Sequence, residues 1–440
     1  MSETASKAAP VPQSRLARSA AIGGTATRIF GSAALSGVTR IALGERPRLQ
    51  DLLMTPANIQ RLTSQLARMR GAAMKLGQLI SMDAGDVLPR ELTEIMARLR
   101  AEADFMPPKQ LKQVLNAAWG EGWLKNFESF DVRPIAAASI GQVHRAQTKD
   151  GRDLALKVQY PGVRRSVDSD VDNVGSLIKV SGLLPNGFNL SYLLDEAKKQ
   201  LHQEADYVRE AEQLQAFSLH LKDSTEFVVP KFEADFSTDT VLAMEYLDGV
   251  AIEKLVDYPQ DIRDGVIERM LELALREVFE WRHIQSDPNF ANYRFDPDTG
   301  GIILLDFGAA TELPLWVSDA YFGLIRDGLK GNWETVLAHS LTLGFLNEAM
   351  SDAEKEKITD MIMYSFGMLG APGVFDFGDT RHAEEMRRRG IDLAAEVETV
   401  FLPPIETLLV QRKLAGMYLL ARQFDARVNL SDKIKAAINL

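Results

Sequence analysis

The sequence of 440 residues contains no cysteine. This excludes a disulfide framework and any metal site built from thiolates, and it is compatible with a reducing compartment. Long apolar runs are also missing: no stretch approaches about eighteen uninterrupted apolar residues, so the sequence predicts no transmembrane helix. With 46% hydrophobic and 25% charged residues, the chain is expected to be globular and large enough for two or three subdomains.

An overall excess of positive charge is absent as well. The net charge is -11 at pH 7, which argues against nucleic acid as a partner of the whole protein. The charge is uneven, because residues 1–50 hold seven basic and two acidic side chains. We expect residues 1–50 to form a basic, flexible N-terminal segment. A transit-like peptide and a weak contact with an anionic membrane stay open as alternatives.

One stretch, HIQSDPNFANYRFDPDTGGIILLDFG at 283–308, has a pattern typical of phosphoryl transfer. Asp287 precedes Asn292 by five residues, and Asp306 opens an Asp-Phe-Gly triplet. Phosphoryl transfer needs a carboxylate at the attacking oxygen, for which Asp287 is the candidate. It also needs an amide and a second carboxylate on magnesium, for which Asn292 and Asp306 are the candidates.

The surrounding sequence distinguishes this triplet from a second one in the chain. Two short strands, 293–295 and 302–305, are predicted before Asp306, with a turn at 296–301 between them. The second triplet, Asp376-Phe377-Gly378, has no β-rich run and no Asp-to-Asn spacing before it. We interpret this second triplet as a loop without a catalytic role.

Three strands are predicted upstream at 130–134, 140–147 and 153–160, with a hairpin turn at Asp150-Gly151. Lys157 lies in the third strand and is the candidate phosphate-binding lysine. Where a kinase has its glycine-rich loop, this chain has Ala136, Ala137, Ala138 and Ser139. Because alanine lacks the free φ of glycine, we expect a stiffer loop that closes differently on a nucleotide.

A long helical run from 193 to 221 offers three carboxylates, Glu204, Asp206 and Glu210. Asp206 and Glu210 are four residues apart and are expected to share a face, whereas Glu204 points elsewhere. A solvated acidic face is the alternative interpretation. The predicted strand 241–245 ends at Glu245 and leads into a connector, the place where a kinase hinge holds the adenine.

Helices are predicted to begin at Pro56, at Pro89 and at Pro107-Pro108, the last ending at Gly120. The first of them carries Lys75 and Gln78 on either side of Gly77. Glycine is a poor helix residue, so Gly77 suggests a close approach of another backbone or of a ligand. Taken alone, Lys75 also fits a solvated helix lysine.

The C-terminal half is predicted to be helical, with helices at 266–281, 314–329 and 404–424 and a capping box at Ser351 and Glu354. Only five residues separate Gly308 from Pro314, and no Ala-Pro-Glu follows. This absence weakens the case for an extended peptide substrate.

Together these motifs resemble the UbiB/ADCK-type atypical kinase family (AarF/ABC1-like), in particular its ubiquinone-biosynthesis branch. The resemblance covers roughly residues 52–426. Residues 75–78 match the KxGQ motif of the family, residues 136–139 its alanine-rich loop and residues 204–206 its ExD motif. The catalytic loop QSDPNFAN departs from the HADPHPGN form of many bacterial members, and the paired C-terminal membrane helices of some members are missing.

The resemblance implies an α+β, bilobal protein-kinase-like fold with an α-helical N-terminal extension. The implied bounds are a helical KxGQ extension at 51–125, a kinase-like N-lobe at 126–249 and a helical C-lobe at 250–440, after the segment 1–50. ATP and Mg²⁺ are the implied cofactors. The implied residue roles fall into four groups: catalytic Asp287, Lys157 and Glu210; nucleotide-binding Ala136, Ala137, Ala138, Ser139, Lys157 and Glu245; metal-binding Asn292 and Asp306; and autoinhibitory Lys75, Gln78, Glu204 and Asp206.

The resemblance also implies an atypical kinase or ATPase that supports ubiquinone synthesis. Its partners would be ATP or ADP together with quinone-biosynthesis enzymes or lipid intermediates. The protein would be cytoplasmic, peripheral on the inner membrane, or in the mitochondrial matrix. Two alternatives stay open, a small-molecule phosphotransferase and a non-catalytic nucleotide-binding scaffold. The complete catalytic set counts against the scaffold, and the KxGQ helix counts against the phosphotransferase.

Overall fold

The computed structural model of the protein describes residues 71–73, 75–76, 105–181, 190–287, 289–396 and 403–438. Residues 71–73, 75 and 76 are helical, as expected for the helix predicted from Pro56. The start of that helix, the helix predicted from Pro89, the segment 1–50, Gly77 and Gln78 lie outside the described residues.

The described chain falls into two compact units. The first contains the described residues up to Glu212 together with Lys231–Leu247. The second contains Gln213–Pro230 and the described residues from Asp248 onward. The four-part division implied by the resemblance stays a prediction.

An antiparallel sheet forms the centre of the first unit. Its strands are β1 (Phe127–Phe130), β2 (Ala136–Ala137), β3 (Gly141–Thr148), β4 (Asp153–Gln159) and β6 (Val241–Glu245). Their order is β1-β3-β4-β6, and β2 pairs with β3. Helix α1 (Pro108–Trp119) buries Leu115 in the same apolar cluster as Leu154 and Val158 of β4. The sheet thereby fixes the strand that carries Lys157.

The strands predicted at 140–147 and 153–160 are confirmed as β3 and β4, within one residue at each end. The strand prediction at 130–134 is wrong. The helix predicted to end at Gly120 is also confirmed. The strand predicted at 130–134 instead occupies Phe127–Phe130, where Phe127 is buried against Trp123. Its pairing with β3 ends at Phe130 opposite Ala146, and Pro134 has no N–H with which to take part in a longer ladder. The turn of the next hairpin is confirmed, with Gly151 at a φ of 90°.

The predicted continuous helix 193–221 is wrong, because two helices occupy this stretch. After α2 (Val163–Ser181) come α3 (Leu190–Glu204) and α4 (Tyr207–His220). The break has a tertiary cause: the Gln159 side chain donates a hydrogen bond to the carbonyl oxygen of Ala205 at 2.7 Å. Asp206 then accepts from the backbone N–H of Arg209 at 3.2 Å and caps α4. Glu204 and Asp206 therefore end one helix and begin the next.

The second unit contains a mixed sheet and two strand pairs. The sheet has the order β5-β10-β9-β7, from β5 (Phe227–Val228), β7 (Val250–Ala251), β9 (Tyr293–Phe295) and β10 (Ile302–Leu304). A separate antiparallel pair joins β8 (His283–Gln285) to β11 (Ala310–Glu312). Another joins β12 (Phe375–Asp376) to β13 (Arg427–Val428). The strands predicted around the turn at 296–301 are confirmed as β9 and β10.

Helices make up the rest of the second unit. They are α5 (Gln260–Leu275), which continues as a π-helix (Arg276–Trp281), α6 (Leu315–Leu329), α7 (Trp333–Thr342), α8 (Asp352–Leu369), α9 (Arg381–Glu396), α10 (Ile405–Gln423) and α11 (Leu430–Ala437). The capping box at Ser351 and Glu354 is confirmed. The helices predicted at 314–329 and 404–424 are confirmed as α6 and α10. In the part of the chain that is described, no helix is both long and apolar enough to cross a membrane.

Candidate active site

Lys157 and Glu210 form a buried ion pair in the first unit. Strand β4 carries Lys157, and the first turn of α4 carries Glu210. The Lys157 Nζ lies 2.7 and 2.9 Å from the two carboxylate oxygens of Glu210. It also lies 5.4 Å from the centroid of the Tyr207 ring. A lysine held by a carboxylate in this way presents a fixed positive charge, which is the property that phosphate binding uses.

A second ion pair of the first unit involves Lys75. Its Nζ lies 2.5 Å from Glu204 Oε1, and Ser139 Oγ donates a hydrogen bond to Glu204 Oε2 at 2.6 Å. Lys75 is only 3% exposed, so it is not a solvated lysine. Glu204 thus contacts both the helix that carries Lys75, called the KxGQ helix, and Ser139 of the alanine-rich loop. The side chain of Asp206 caps α4.

The same helix and loop also meet through their backbones. A Cβ added at Gly71 would lie 2.7 Å from the carbonyl oxygen of Ser139, so only glycine permits this approach. Sequence reasoning assigned such a close approach to Gly77, which lies outside the described residues. Gly71, six positions earlier, is the residue at which the structure shows it.

The alanine-rich loop is tied to the sheet by a few backbone bonds. Ala136 and Ala137 pair with Val143 and Gln142 of β3, and both alanines are exposed. The N–H of Ala138 donates to the carbonyl oxygen of Gly141 at 2.9 Å. Glu245 lies elsewhere in the sheet, opposite Leu154, and is exposed. Its Oε2 accepts from the N–H of Lys231 at 3.3 Å.

In the second unit, Asp287 and Asn292 lie in hydrogen-bond contact. A single 3₁₀ turn (Phe290–Asn292) connects them, and Asn289 caps it by accepting from the N–H of Ala291. Asn292 Nδ2 donates to Asp287 Oδ2 at 3.3 Å. The five-residue spacing thus brings a carboxylate and an amide together.

Asp306 follows β10 and is held by its own turn. The N–H of Gly308 donates to Asp306 Oδ1 at 2.9 Å. Phe307 between them is buried, with its ring 5.1 Å from the ring of Phe217. The buried ring anchors the triplet and so fixes the backbone from which the Asp306 carboxylate projects.

Sequence reasoning missed Gln285, which contacts both acidic segments. Its Oε1 accepts from the N–H of Asp287 at 2.7 Å, and its Nε2 donates to the carbonyl oxygen of Asp306 at 3.0 Å. The only available sequence signal was a polar residue two positions before Asp287, at the end of a short strand. No spacing rule gave it a role.

Sequence reasoning also missed a buried ion pair that contacts the backbone of Gln285. Glu277 of the π-helix accepts from the N–H of Gln285 at 3.0 Å and lies 2.9 Å from Lys413 Nζ. Burial raises the pKa of the Glu277 carboxyl. Burial is the largest single influence on the pKa of Lys413 and lowers it, but the charges of Glu277 and Tyr293 and the hydrogen bonds to both together outweigh burial, and the pKa is raised. The available signals were one acidic residue and one lysine on apolar helix faces.

The second Asp-Phe-Gly triplet adopts the same local turn in different surroundings. The N–H of Gly378 donates to Asp376 Oδ1 at 2.8 Å. The prediction of a plain loop is wrong, because Asp376 belongs to the short strand β12. Pairing with β13, which lies about fifty residues later in the sequence, determines this strand and is not visible locally.

Comparison with known proteins shows the family of the chain. The model of the ABC1 atypical kinase-like domain matches residues 98–340. The atypical kinase coq-8, mitochondrial, of Caenorhabditis elegans is 35% identical over 436 residues, which cover 97% of this chain and 57% of the nematode protein. The atypical kinase COQ8, mitochondrial, of Saccharomyces cerevisiae is 35% identical over 440 residues, which cover 98% of this chain and 86% of the yeast protein.

A solved structure supports the same conclusion. A Mycobacterium tuberculosis protein, determined in complex with erythromycin, matches with a TM-score of 0.60 and 25% identity, over 88% of this chain and 96% of that chain. The family model covers more than half of the 440 residues, and the yeast relative aligns over most of both chains. The kinase-like α+β fold and the family predicted from the motifs are therefore confirmed. The chain belongs to the ABC1 atypical kinase-like family, with the COQ8 atypical kinases among its relatives.

Proposed function

We propose that this protein is an ATP- and magnesium-dependent atypical kinase or ATPase that supports ubiquinone biosynthesis. The observation that carries the proposal lies in the second unit, where Asp287 bonds to Asn292 and Gln285 links the backbones of Asp287 and Asp306. This arrangement gathers the two carboxylates and the amide that phosphoryl transfer uses. The pathway part of the proposal rests on the resemblance of the motifs to the ubiquinone-biosynthesis branch, and the similarity to the COQ8 atypical kinases of nematode and yeast supports that branch.

Each residue has a distinct proposed role. Asp287 accepts the proton of the attacking hydroxyl or water. Lys157, oriented by Glu210, binds phosphate oxygens of ATP. Carboxylate and amide oxygens are ligands that Mg²⁺ prefers, so the side chains of Asp306 and Asn292 fit this ion. When bound, Mg²⁺ supplies neutralisation of the phosphate charge.

The remaining nucleotide contacts are proposed for the first unit. The segment Ala136–Ala138 is suited to lie against phosphates, because Ala136 and Ala137 are exposed and all three side chains are small. The end of β6 at Glu245 is proposed to hold the adenine, as a kinase hinge does. Glu204, Asp206, Gln78 and Lys75 are proposed to restrict access to the site.

Turnover by the purified full chain tests this proposal. We expect ATP hydrolysis or phosphate transfer that requires Mg²⁺. Asp287→Asn should lower kcat by about a hundredfold or more, since general-base catalysis contributes that much. Nucleotide binding should survive in this variant, because the proposed base does not hold the metal. Binding without turnover in wild type would indicate a non-catalytic scaffold instead.

The pathway part needs a separate test in cells. We expect the chain, directed to mitochondria, to restore ubiquinone in a Saccharomyces cerevisiae strain that lacks its COQ8 protein. Asp287→Asn, expressed at the same level, serves as the matched control and should not restore it. Equal ubiquinone content with wild type and with Asp287→Asn would separate the pathway role from catalysis.

We also propose a peripheral membrane contact through the basic segment 1–50. Its seven basic and two acidic side chains favour anionic lipid. Liposome flotation with and without cardiolipin, comparing the full chain with one beginning at Gln50, measures this contact. We expect cardiolipin-dependent flotation of the full chain only. Equal recovery of both proteins in the soluble fraction contradicts the contact.

A further inference from the structure

Gln285 uses both ends of its side-chain amide on the two acidic segments of the second unit. The carbonyl end accepts from the N–H of Asp287, and the amino end donates to the carbonyl oxygen of Asp306. Gln285 is 5% exposed, so water does not compete well for either bond. One side chain therefore ties two backbone segments that are nineteen residues apart in the sequence.

Other elements fix the backbone of Gln285. Its backbone N–H donates to Glu277 Oε2 at 3.0 Å, and Glu277 Oε1 bonds to Lys413 Nζ at 2.9 Å. Glu277 and Lys413 are each about 1% exposed or less. Strand β8 also pairs Gln285 with Ala310 of β11. Three elements, namely the π-helix, α10 and β11, thus fix the position of Gln285.

We propose that Gln285 is a positioning residue for the reaction. It sets the position of Asp287 relative to Asp306 through their backbones, and its side chain contacts neither nucleotide nor metal. This inference rests on the proposed roles of Asp287 as base and of Asp306 as metal ligand. A residue that only stabilises the fold would change the stability of the protein without changing its magnesium requirement.

Two substitutions separate the two bonds that Gln285 makes. Gln285→Glu keeps an oxygen that accepts from the N–H of Asp287. It replaces the donor to Asp306 by a carboxylate oxygen, which repels the carbonyl oxygen there. Gln285→Met has a similar length and removes both bonds.

Ser286→Ala is the matched control. Ser286 is buried next to Gln285, and its Oγ donates to the carbonyl oxygen of Ala309 at 2.9 Å. The substitution therefore removes a comparable side-chain-to-backbone bond from the same strand end. It leaves the bonds to Asp287 and Asp306 in place.

Hydrogen exchange of the full chain tests the bridge itself. We expect Gln285→Met to accelerate exchange by about tenfold both at the Asp287 amide and in the segment 302–308, because one lost hydrogen bond has about that effect on an opening equilibrium. Gln285→Glu should accelerate only the segment 302–308. Ser286→Ala should accelerate neither. Exchange in Gln285→Met that equals exchange in Ser286→Ala overturns the proposal.

The magnesium dependence of turnover then tests the role in the reaction. We expect Gln285→Glu to raise the Mg²⁺ concentration for half-maximal turnover by about tenfold, which corresponds to the loss of one neutral hydrogen bond. Ser318→Ala is the control for turnover, because it removes a comparable buried bond, from Ser318 Oγ to the carbonyl oxygen of Val278 at 2.8 Å, outside the catalytic loop, and it should match wild type. An unchanged magnesium requirement in Gln285→Glu overturns the proposal even where exchange is faster. Absence of turnover in wild type contradicts the proposed function instead, and exchange alone then decides whether Gln285 is a bridge.

Discussion

Lys75 Nζ lies 2.5 Å from Glu204 Oε1, although the two residues are 129 positions apart in the sequence. Glu204 also accepts from Ser139 Oγ, so one carboxylate joins the KxGQ helix to the alanine-rich loop. Loss of one partner of a fully buried pair costs about 3–5 kcal/mol, which is the upper bound for this pair because Glu204 is partly exposed. A change of this size is enough to shift an equilibrium between closed and open states that differ by a few kcal/mol.

We therefore predict that Lys75→Ala raises basal ATP turnover or autophosphorylation and fails to support ubiquinone synthesis. The physical reason is that Glu204 loses its cation and the KxGQ helix loses its anchor. Adding Asp287→Asn to this variant should abolish the gained activity. Turnover of the purified variants and ubiquinone content in cells are the measurements.

Lys198→Ala is the control for the Lys75 prediction. Lys198 also pairs with a carboxylate of the first unit, Asp172, at 2.6 Å, but this pair is partly exposed. We expect its loss to leave turnover unchanged, because exposed ion pairs contribute little. If Lys75→Ala matches Lys198→Ala in both turnover and complementation, the autoinhibitory role is wrong.

A second prediction concerns the loop that contains Ala137. Ala137→Gly should change the dissociation constants for ATP and ADP, because glycine gives the loop a backbone freedom that alanine lacks. Stability should change little, since Ala137 is exposed and its side chain is small. Calorimetric titration with each nucleotide gives the constants.

A control for Ala137→Gly needs an alanine outside the long helices, because glycine inside a helix is unfavourable in itself. This excludes Ala118 of helix α1. Ala234→Gly, in a short 3₁₀ turn of the same unit, is the better comparison. Unchanged affinity of Ala137→Gly for both nucleotides removes the loop from the nucleotide site.

The sequence predicted those parts of the site that local spacing encodes. Five residues separate Asp287 from Asn292, and a short turn is enough to bring their side chains together. The helix break at Ala205 was not predictable in this way, because Gln159 of a distant strand causes it. Glu277 and Lys413 are 136 positions apart, and only the packing of α10 against α5 brings their helices together. Contacts between residues far apart in the sequence therefore determine the helix break and the buried ion pair, which local sequence patterns do not encode.

A third prediction concerns this buried pair. Lys413→Met should destabilise the second unit by about 3–5 kcal/mol, because it leaves the Glu277 carboxylate buried without its cation. Adding Glu277→Gln should recover part of the loss, since an amide oxygen can still accept from the N–H of Gln285. Thermal unfolding of the single and double variants measures both effects.

An exposed pair on α9 provides the comparison for Lys413. Arg388 and Glu385 form an ion pair three residues apart on the surface of this helix. We expect Arg388→Met to leave the unfolding midpoint unchanged. Equal midpoints for Lys413→Met and Arg388→Met would show that the buried pair contributes nothing to stability.

The central claim, magnesium-dependent nucleotide binding through Asp306, is tested most directly by thermal-shift titration with Mg-ATP. A ligand at about a hundred times its dissociation constant stabilises the folded state by about 2.7 kcal/mol. Wild type should therefore gain a higher unfolding midpoint, and Asp306→Asn should lose nearly all of this gain. Asp376→Asn is the matched control, because the second triplet has the same turn. We predict that it behaves as wild type, and stabilisation of Asp306→Asn as strong as that of wild type contradicts the account.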